Sequence, residues 1–164
     1  LGLMLGMAQA SQGAIVISVD LNPLVAGIQN SASALVGDTI TADIFMNLQT
    51  AADDVAVYNY SVQFNPAVLT LTNRQEFGIG PLTELDLTNP TVGNVIQRLD
   101  ATTFGATPAQ GPLNTRIASL TFTATSDGIA AITPGLFEPA FDAFFNNAAD
   151  DITGAIQFNG ATVT

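Results

Sequence analysis

Asn146, Asn147, Asp150 and Asp151 fall in one short stretch directly after Phe144-Phe145. Hard cations such as Ca²⁺ take carboxylate, carboxamide and backbone carbonyl oxygens. Of all the segments in the chain, this one could best hold a calcium ion. Its spacing is not that of an EF-hand, and Asn and Asp are also ordinary turn residues. Asp53-Asp54 offers similar oxygens but reads as a turn between strands.

The chain contains no His, Cys, Lys or Trp, which narrows its catalytic options. Nucleophiles activated by an imidazole are excluded, as are Schiff-base lysines, thiolate metal sites and lysine-bearing phosphate loops. Paired carboxylates of the glycosidase type remain. Glu84 and Asp86 share a strand face if residues 83–87 are extended, and Glu138 and Asp142 form a second pair. Solvation of a surface accounts for both pairs, and carboxylate catalysts usually sit in aromatic-rich clefts. The chain is therefore read as a non-enzyme, with no cofactor other than the calcium considered above.

Phe137, Phe141, Phe144 and Phe145 make an aromatic run between Pro134 and Asn146. It reads as core, a bent strand and loop sealing the domain. The alternative is a partner-binding patch, because interfaces use aromatic anchors inside a polar rim.

These groups must be positioned by strands. The chain has 164 residues, enough for one domain, of which 48% are hydrophobic and 10% charged, the reverse of a disordered composition. Arg74, Arg98 and Arg116 face fourteen carboxylates, for a net charge of −11. Such a field repels nucleic acid and anionic lipid. Residues 39–48 alternate, with Ile40, Ala42, Ile44, Met46 and Leu48 on one face and Phe45 as the exception. Ala56, Tyr58, Tyr60, Val62 and Phe64 are in phase over 55–64, ended by Asn65-Pro66. This phase puts both tyrosines on the core face, away from any sugar. Residues 15–19, 68–72 and 116–125 read as further strands. Asp127-Gly128 predicts a hairpin into 129–133. Residues 155–158 and 161–163 read as one closing strand, bulged at Gly160. Gly105 to Pro112 reads as a loop, and no segment carries a helical stripe. Short strands between turns predict an all-β sandwich or barrel.

At the start of the chain, apolar residues 1–7 precede Ala8-Gln9-Ala10, a small-x-small cleavage site. Residues 1–10 read as the remnant of a secretory signal peptide, with the domain spanning 11–164. The apolar stretch is too short to span a bilayer.

The motif order carries a resemblance. Val36-Gly37-Asp38-Thr39 opens the long alternating strand. Next come Tyr60-Ser61-Val62-Gln63-Phe64-Asn65-Pro66-Ala67-Val68-Leu69, then Ile117 to Ala124, Asp127-Gly128 and Asn159-Gly160-Ala161-Thr162-Val163. Over residues 14–164 this resembles the cohesin-like domain, especially copies in exported bacterial proteins with a PEP-CTERM sorting tail. The resemblance implies a jelly-roll-like β-sandwich of about nine strands, secreted or held at the bacterial cell surface. It implies a binding or scaffold module mediating protein–protein or matrix attachment. Its partner would be a dockerin-like protein or a surface or matrix glycan. It supplies no binding residue that can be placed here. Two alternatives stand beside it: a structural subunit of an extracellular filament or matrix, and a carbohydrate-binding domain.

Overall fold

The computed structural model describes residues 14–79, 83–84, 91–102 and 108–164. The expected cleavage segment 1–10 and the carboxylate of Asp86 lie outside these residues. In chain order the strands are β1 (Ile15–Asp20), β2 (Ser31–Ala32), β3 (Thr39–Leu48), β4 (Asp54–Val55), β5 (Val57–Phe64), β6 (Leu69–Glu76), β7 (Thr83–Glu84), β8 (Thr91–Val92), β9 (Val95–Thr102), β10 (Ala109–Gln110), β11 (Leu113–Ala124), β12 (Ala130–Gly135), β13 (Ala143–Phe145), β14 (Ile156–Asn159) and β15 (Ala161–Val163). A first sheet runs β14-β1-β3-β11-β6, and a second runs β2-β15-β12-β5-β9-β7, with β13 added to β5 and β8 to β9. Short β4 and β10 pair at one end, so β10 lies inside the stretch expected to be only loop. Pairing is antiparallel except for β14 on β1 and β2 on β15. This is the expected all-β jelly-roll sandwich.

Period-two burial builds the core. β3 turns Ile40, Ala42, Ile44, Met46 and Leu48 inward, and β5 answers with Tyr58, Tyr60, Val62 and Phe64, all buried. Phe64 meets Phe122 of β11 across the interior with ring centroids 5.3 Å apart. Each such side chain contributes roughly 1.5–3 kcal/mol by leaving water. The hydroxyl of Tyr60 is buried with no hydrogen-bond partner among the described residues, and burial raises its pKa well above the usual phenol value. Deleting an unsatisfied hydroxyl removes a desolvation cost. Tyr60→Phe is therefore expected to stabilise the fold by up to about 1 kcal/mol, read by urea denaturation.

The structure corrects two sequence expectations. β11 and β12 do not form a hairpin: after Ala124 the chain leaves the first sheet, and β12 pairs with β5 and β15 in the second. A two-residue type I′ turn needs positive φ at both central residues. Gly128 has φ +145°, but the non-glycine residues with positive φ are Arg98 and Ala149, not Asp127. Nor do β14 and β15 make one bulged strand. They belong to opposite sheets, and the chain switches at Gly160, where a Cβ would lie 2.9 Å from the Ile132 carbonyl oxygen. Only glycine allows that approach.

Two features were not expected at all. β9 has no readable alternation because a bulge interrupts it. Tyr60 faces Leu99 and Val62 faces Ile96, so Gln97 and Arg98 together stand opposite Ser61, with Arg98 at φ 55°. β8 and β9 form a hairpin through Gly93-Asn94, with Gly93 at φ 63°. β6 is longer than expected and lies at the edge of the first sheet. A register shift opposite Thr121/Phe122 and inward-pointing Arg74 and Glu76 guard that edge against pairing with another chain.

Candidate binding surface

The outer face of the second sheet carries the densest polar structure. Residues 136–142 cross it as a strap between β12 and β13. The strap turns tightly, with the N–H groups of Phe141 and Asp142 both donating to the Glu138 carbonyl at 2.8 Å. Ser61, on the outward side of β5, is fully buried beneath it. Its hydroxyl lies 2.9 and 3.0 Å from the two oxygens of Asp142, which is 6% exposed. Asp142 Oδ2 also accepts the Glu138 N–H at 2.8 Å, and the Gln97 carboxamide donates to the Glu138 carboxylate. The structure thus brings the expected pair Glu138 and Asp142 together, as a clamp that ties the strap to the sheet.

Burial pushes the Asp142 carboxyl above the usual carboxylate range, against the pull of the Glu138 N–H and the Ser61 hydroxyl. The folded protein therefore holds this proton more tightly than the unfolded chain does. The contribution to stability is full below the ordinary value of 3.8 and is lost as pH rises through the folded value. Asp142→Asn should flatten that part of the curve of melting temperature against pH. A curve with unchanged slope would refute this role.

The aromatic run divides. Phe144 on β13 is fully buried, stacks with Tyr58 and meets Phe158 edge-on, while Phe141 at the strap's turn is 50% exposed. The Arg98 guanidinium lies over the Phe141 ring, 4.2 Å from its centre. Phe137 is half-buried, its ring against Gly135. Phe145 is half-buried on the outward side of β13. Leu136, 38% exposed, joins Phe141 as an apolar spot on the strap.

Behind this surface Arg74 closes the gap between the sheets. Its guanidinium pairs with Glu76 on the same strand and donates to the carbonyls of Gln97 and Arg98 at 2.8 and 2.6 Å. These are the two bulge residues of β9. The N–H of Asp100 donates to Glu76 Oε2 at 3.2 Å. Arg116 is held by Asp43 at 2.9 Å and lies over Phe77. All three arginines of the chain are therefore engaged within the protein.

The expected calcium residues lie at one end of the sandwich and bond mostly to one another. Asn146 Oδ1 accepts the Asp150 N–H at 2.8 Å, and the Asn146 carboxamide donates to Asp150 Oδ2 at 3.2 Å. Asp151 Oδ1 accepts the Thr153 N–H at 2.9 Å, and the Thr153 side chain together with that N–H lowers its pKa. Asn147 enters through its backbone N–H, which donates to Asp54 Oδ2 at 3.1 Å. Asp53, expected in a turn between strands, is buried there and caps the turn by accepting the Thr50 N–H. Because these oxygens already close the loop, melting temperature should be the same in Ca²⁺ and in chelator. A rise of several degrees with Ca²⁺ would mean that the loop also holds an ion.

Beyond the strap the same sheet face is open. A shallow cleft of about 430 Å³ lies there, lined by Gln63 and Asn65 at the end of β5, Asn94 of the β8–β9 turn, Thr133 of β12 and Ile129.

No protein-family model matches the sequence, and no curated protein matches it. Solved structures do. The cohesin CaCohA2 of Clostridium acetobutylicum superposes with a TM-score of 0.62 at 15% identity, over 93% of this chain and 91% of its own. The fold is that of a cohesin. A cohesin module of a Clostridium perfringens family 33 glycoside hydrolase matches with a TM-score of 0.62 at 10% identity, over 93% and 96% of the two chains. A type I cohesin–dockerin complex of Clostridium thermocellum gives 0.62 at 11% identity, over 96% and 98%. Identities this low establish a cohesin-like architecture. The dockerin in the Clostridium thermocellum complex is that cohesin's own partner.

Proposed function

We propose that this chain is a non-catalytic binding and scaffold module that takes a dockerin-like protein partner, secreted or displayed at a bacterial cell surface. The observation that carries the reading is the superposition of nearly the whole chain on cohesin modules, one of them in complex with a dockerin. The Ala8-Gln9-Ala10 segment supports export of a domain beginning at Ser11. The resemblance of the motif order to that of exported proteins with PEP-CTERM tails supports surface display.

Within that reading the partner docks on the strap. Phe141 is a half-exposed aromatic whose ring is already fixed by Arg98, so little side-chain entropy remains to be lost on binding. Pre-organised aromatics of this kind act as interface anchors. The test is calorimetry of the purified chain with dockerin modules. The expected result is saturable binding that Phe141→Ala weakens at least tenfold. Failure of every dockerin to bind would sink the reading.

A further inference from the structure

We infer that the open cleft beyond the strap binds a neutral saccharide, a function separate from the docking of a protein partner on Phe141. The chain carries fourteen carboxylates, yet none of the described residues lining this cleft is charged. Gln63 and Thr133 stand opposite one another on β5 and β12, and both point outward while their neighbours Val62, Phe64 and Ile132 fill the core. Asn94 joins them from the β8–β9 turn, which the Phe64 N–H fixes by donating to the Asn94 carbonyl at 2.9 Å. Among the described residues the side-chain heads of Gln63, Asn94 and Thr133 make no hydrogen bond. Asn65 Oδ1 caps the Ala67 N–H, which leaves its amide hydrogens for a ligand.

A carboxamide presents one donor and one acceptor in a plane, and a hydroxyl can serve as either. Adjacent sugar hydroxyls need that combination, each donating one bond and accepting another. Ile129, 70% exposed, and exposed Pro66 supply the apolar surface on which the C–H face of a pyranose can rest. An extended peptide is a poorer fit. Peptide strands are read by unpaired backbone groups at a sheet edge, whereas this cleft lies on a sheet face where β5 is already paired on both sides. A charged ligand would meet no counter-charge.

The experiment is a ¹⁵N-correlation NMR titration of the intact chain with cellotetraose, maltotetraose and mannotetraose, with tetra-alanine as the peptide control. At least one sugar should shift the side-chain amide signals of Gln63 and Asn94 saturably. Gln63→Ala and Asn94→Ala should each weaken binding about two- to tenfold while signal dispersion shows an intact fold. Phe141→Ala should leave sugar binding unchanged, so failure of the docking proposal would not mimic failure of this one. Silence with all three sugars, shifts confined to another surface, or a response to tetra-alanine in place of the sugars would each overturn the inference.

Discussion

Arg74→Met should cost about 3–5 kcal/mol of folding stability, a large fraction of what a domain of this size possesses. Glu76 is buried, with its side chain 4% exposed, and Arg74 is its ion-pair partner. The substitution strips the counter-charge from that carboxylate and also leaves the carbonyls of Gln97 and Arg98 without their guanidinium donor. Unmatched groups dominate the loss more than the attraction forgone does, because the intact pair has already given up its hydration. Arg74→Met combined with Glu76→Leu should therefore recover the part owed to the stranded carboxylate, but not the part owed to the Gln97 and Arg98 carbonyls and the Asp100 N–H, which lose these partners in the double variant. Urea denaturation of the two single variants and the double variant reads this directly. A single-variant loss below about 1 kcal/mol would show that the gap between the sheets is wet and the pair well screened.

The second large effect separates two phenylalanines of one run. Phe144→Ala should destabilise by about 3–5 kcal/mol, since a fully buried ring stacked on Tyr58 leaves a cavity the β13 ladder cannot close. Phe141→Ala should cost only about 1 kcal/mol or less, chiefly the cation–π contact with Arg98. Thermal melts of both variants decide it. Equal losses would mean that Phe141 belongs to the core and cannot act as an independent anchor.

This difference marks how far the sequence could be read. The Phe137–Phe145 run was visible as aromatic, but its division into core and surface depends on β13 adding to β5, a contact between distant parts of the chain. Strands β3, β5 and β11 were legible because each keeps the two-residue period over most of its length. β9 was not, because its bulge puts Ile96, Leu99 and Ala101 on one side, and this spacing matches neither a strand nor a helix. The crossovers after Ala124 and at Gly160 resemble a hairpin and a bulge in sequence, since the same glycine-bearing turns can return a chain or send it to the opposite sheet. The Gly93-Asn94 hairpin, flanked by Val92 and Val95, is legible in the sequence as a two-residue turn between strand residues.

At the candidate surface, the residues that hold the site are remote in sequence. Ser61 anchors Asp142 across 81 positions, and Arg74 reaches backbone carbonyls 23 and 24 positions on. Backbone acceptors carry no residue-type signature, so Arg74 read only as one of three scarce cations. Pairing Glu138 with Asp142 was correct as proximity, but the pair clamps a strap. Asn146, Asn147, Asp150 and Asp151 are legible as a cluster of oxygens because they are close in sequence, and the same oxygens serve whether they close a turn or take a cation.

The most direct test of the binding account is hydrogen exchange on the chain alone and in complex with a dockerin module. The account predicts that protection on binding concentrates in residues 136–142 and in the β9 residues beneath them, with the first sheet unchanged. Protection concentrated instead on the outward face of the first sheet, around Phe45 and Arg116, with the strap unaffected, would contradict it.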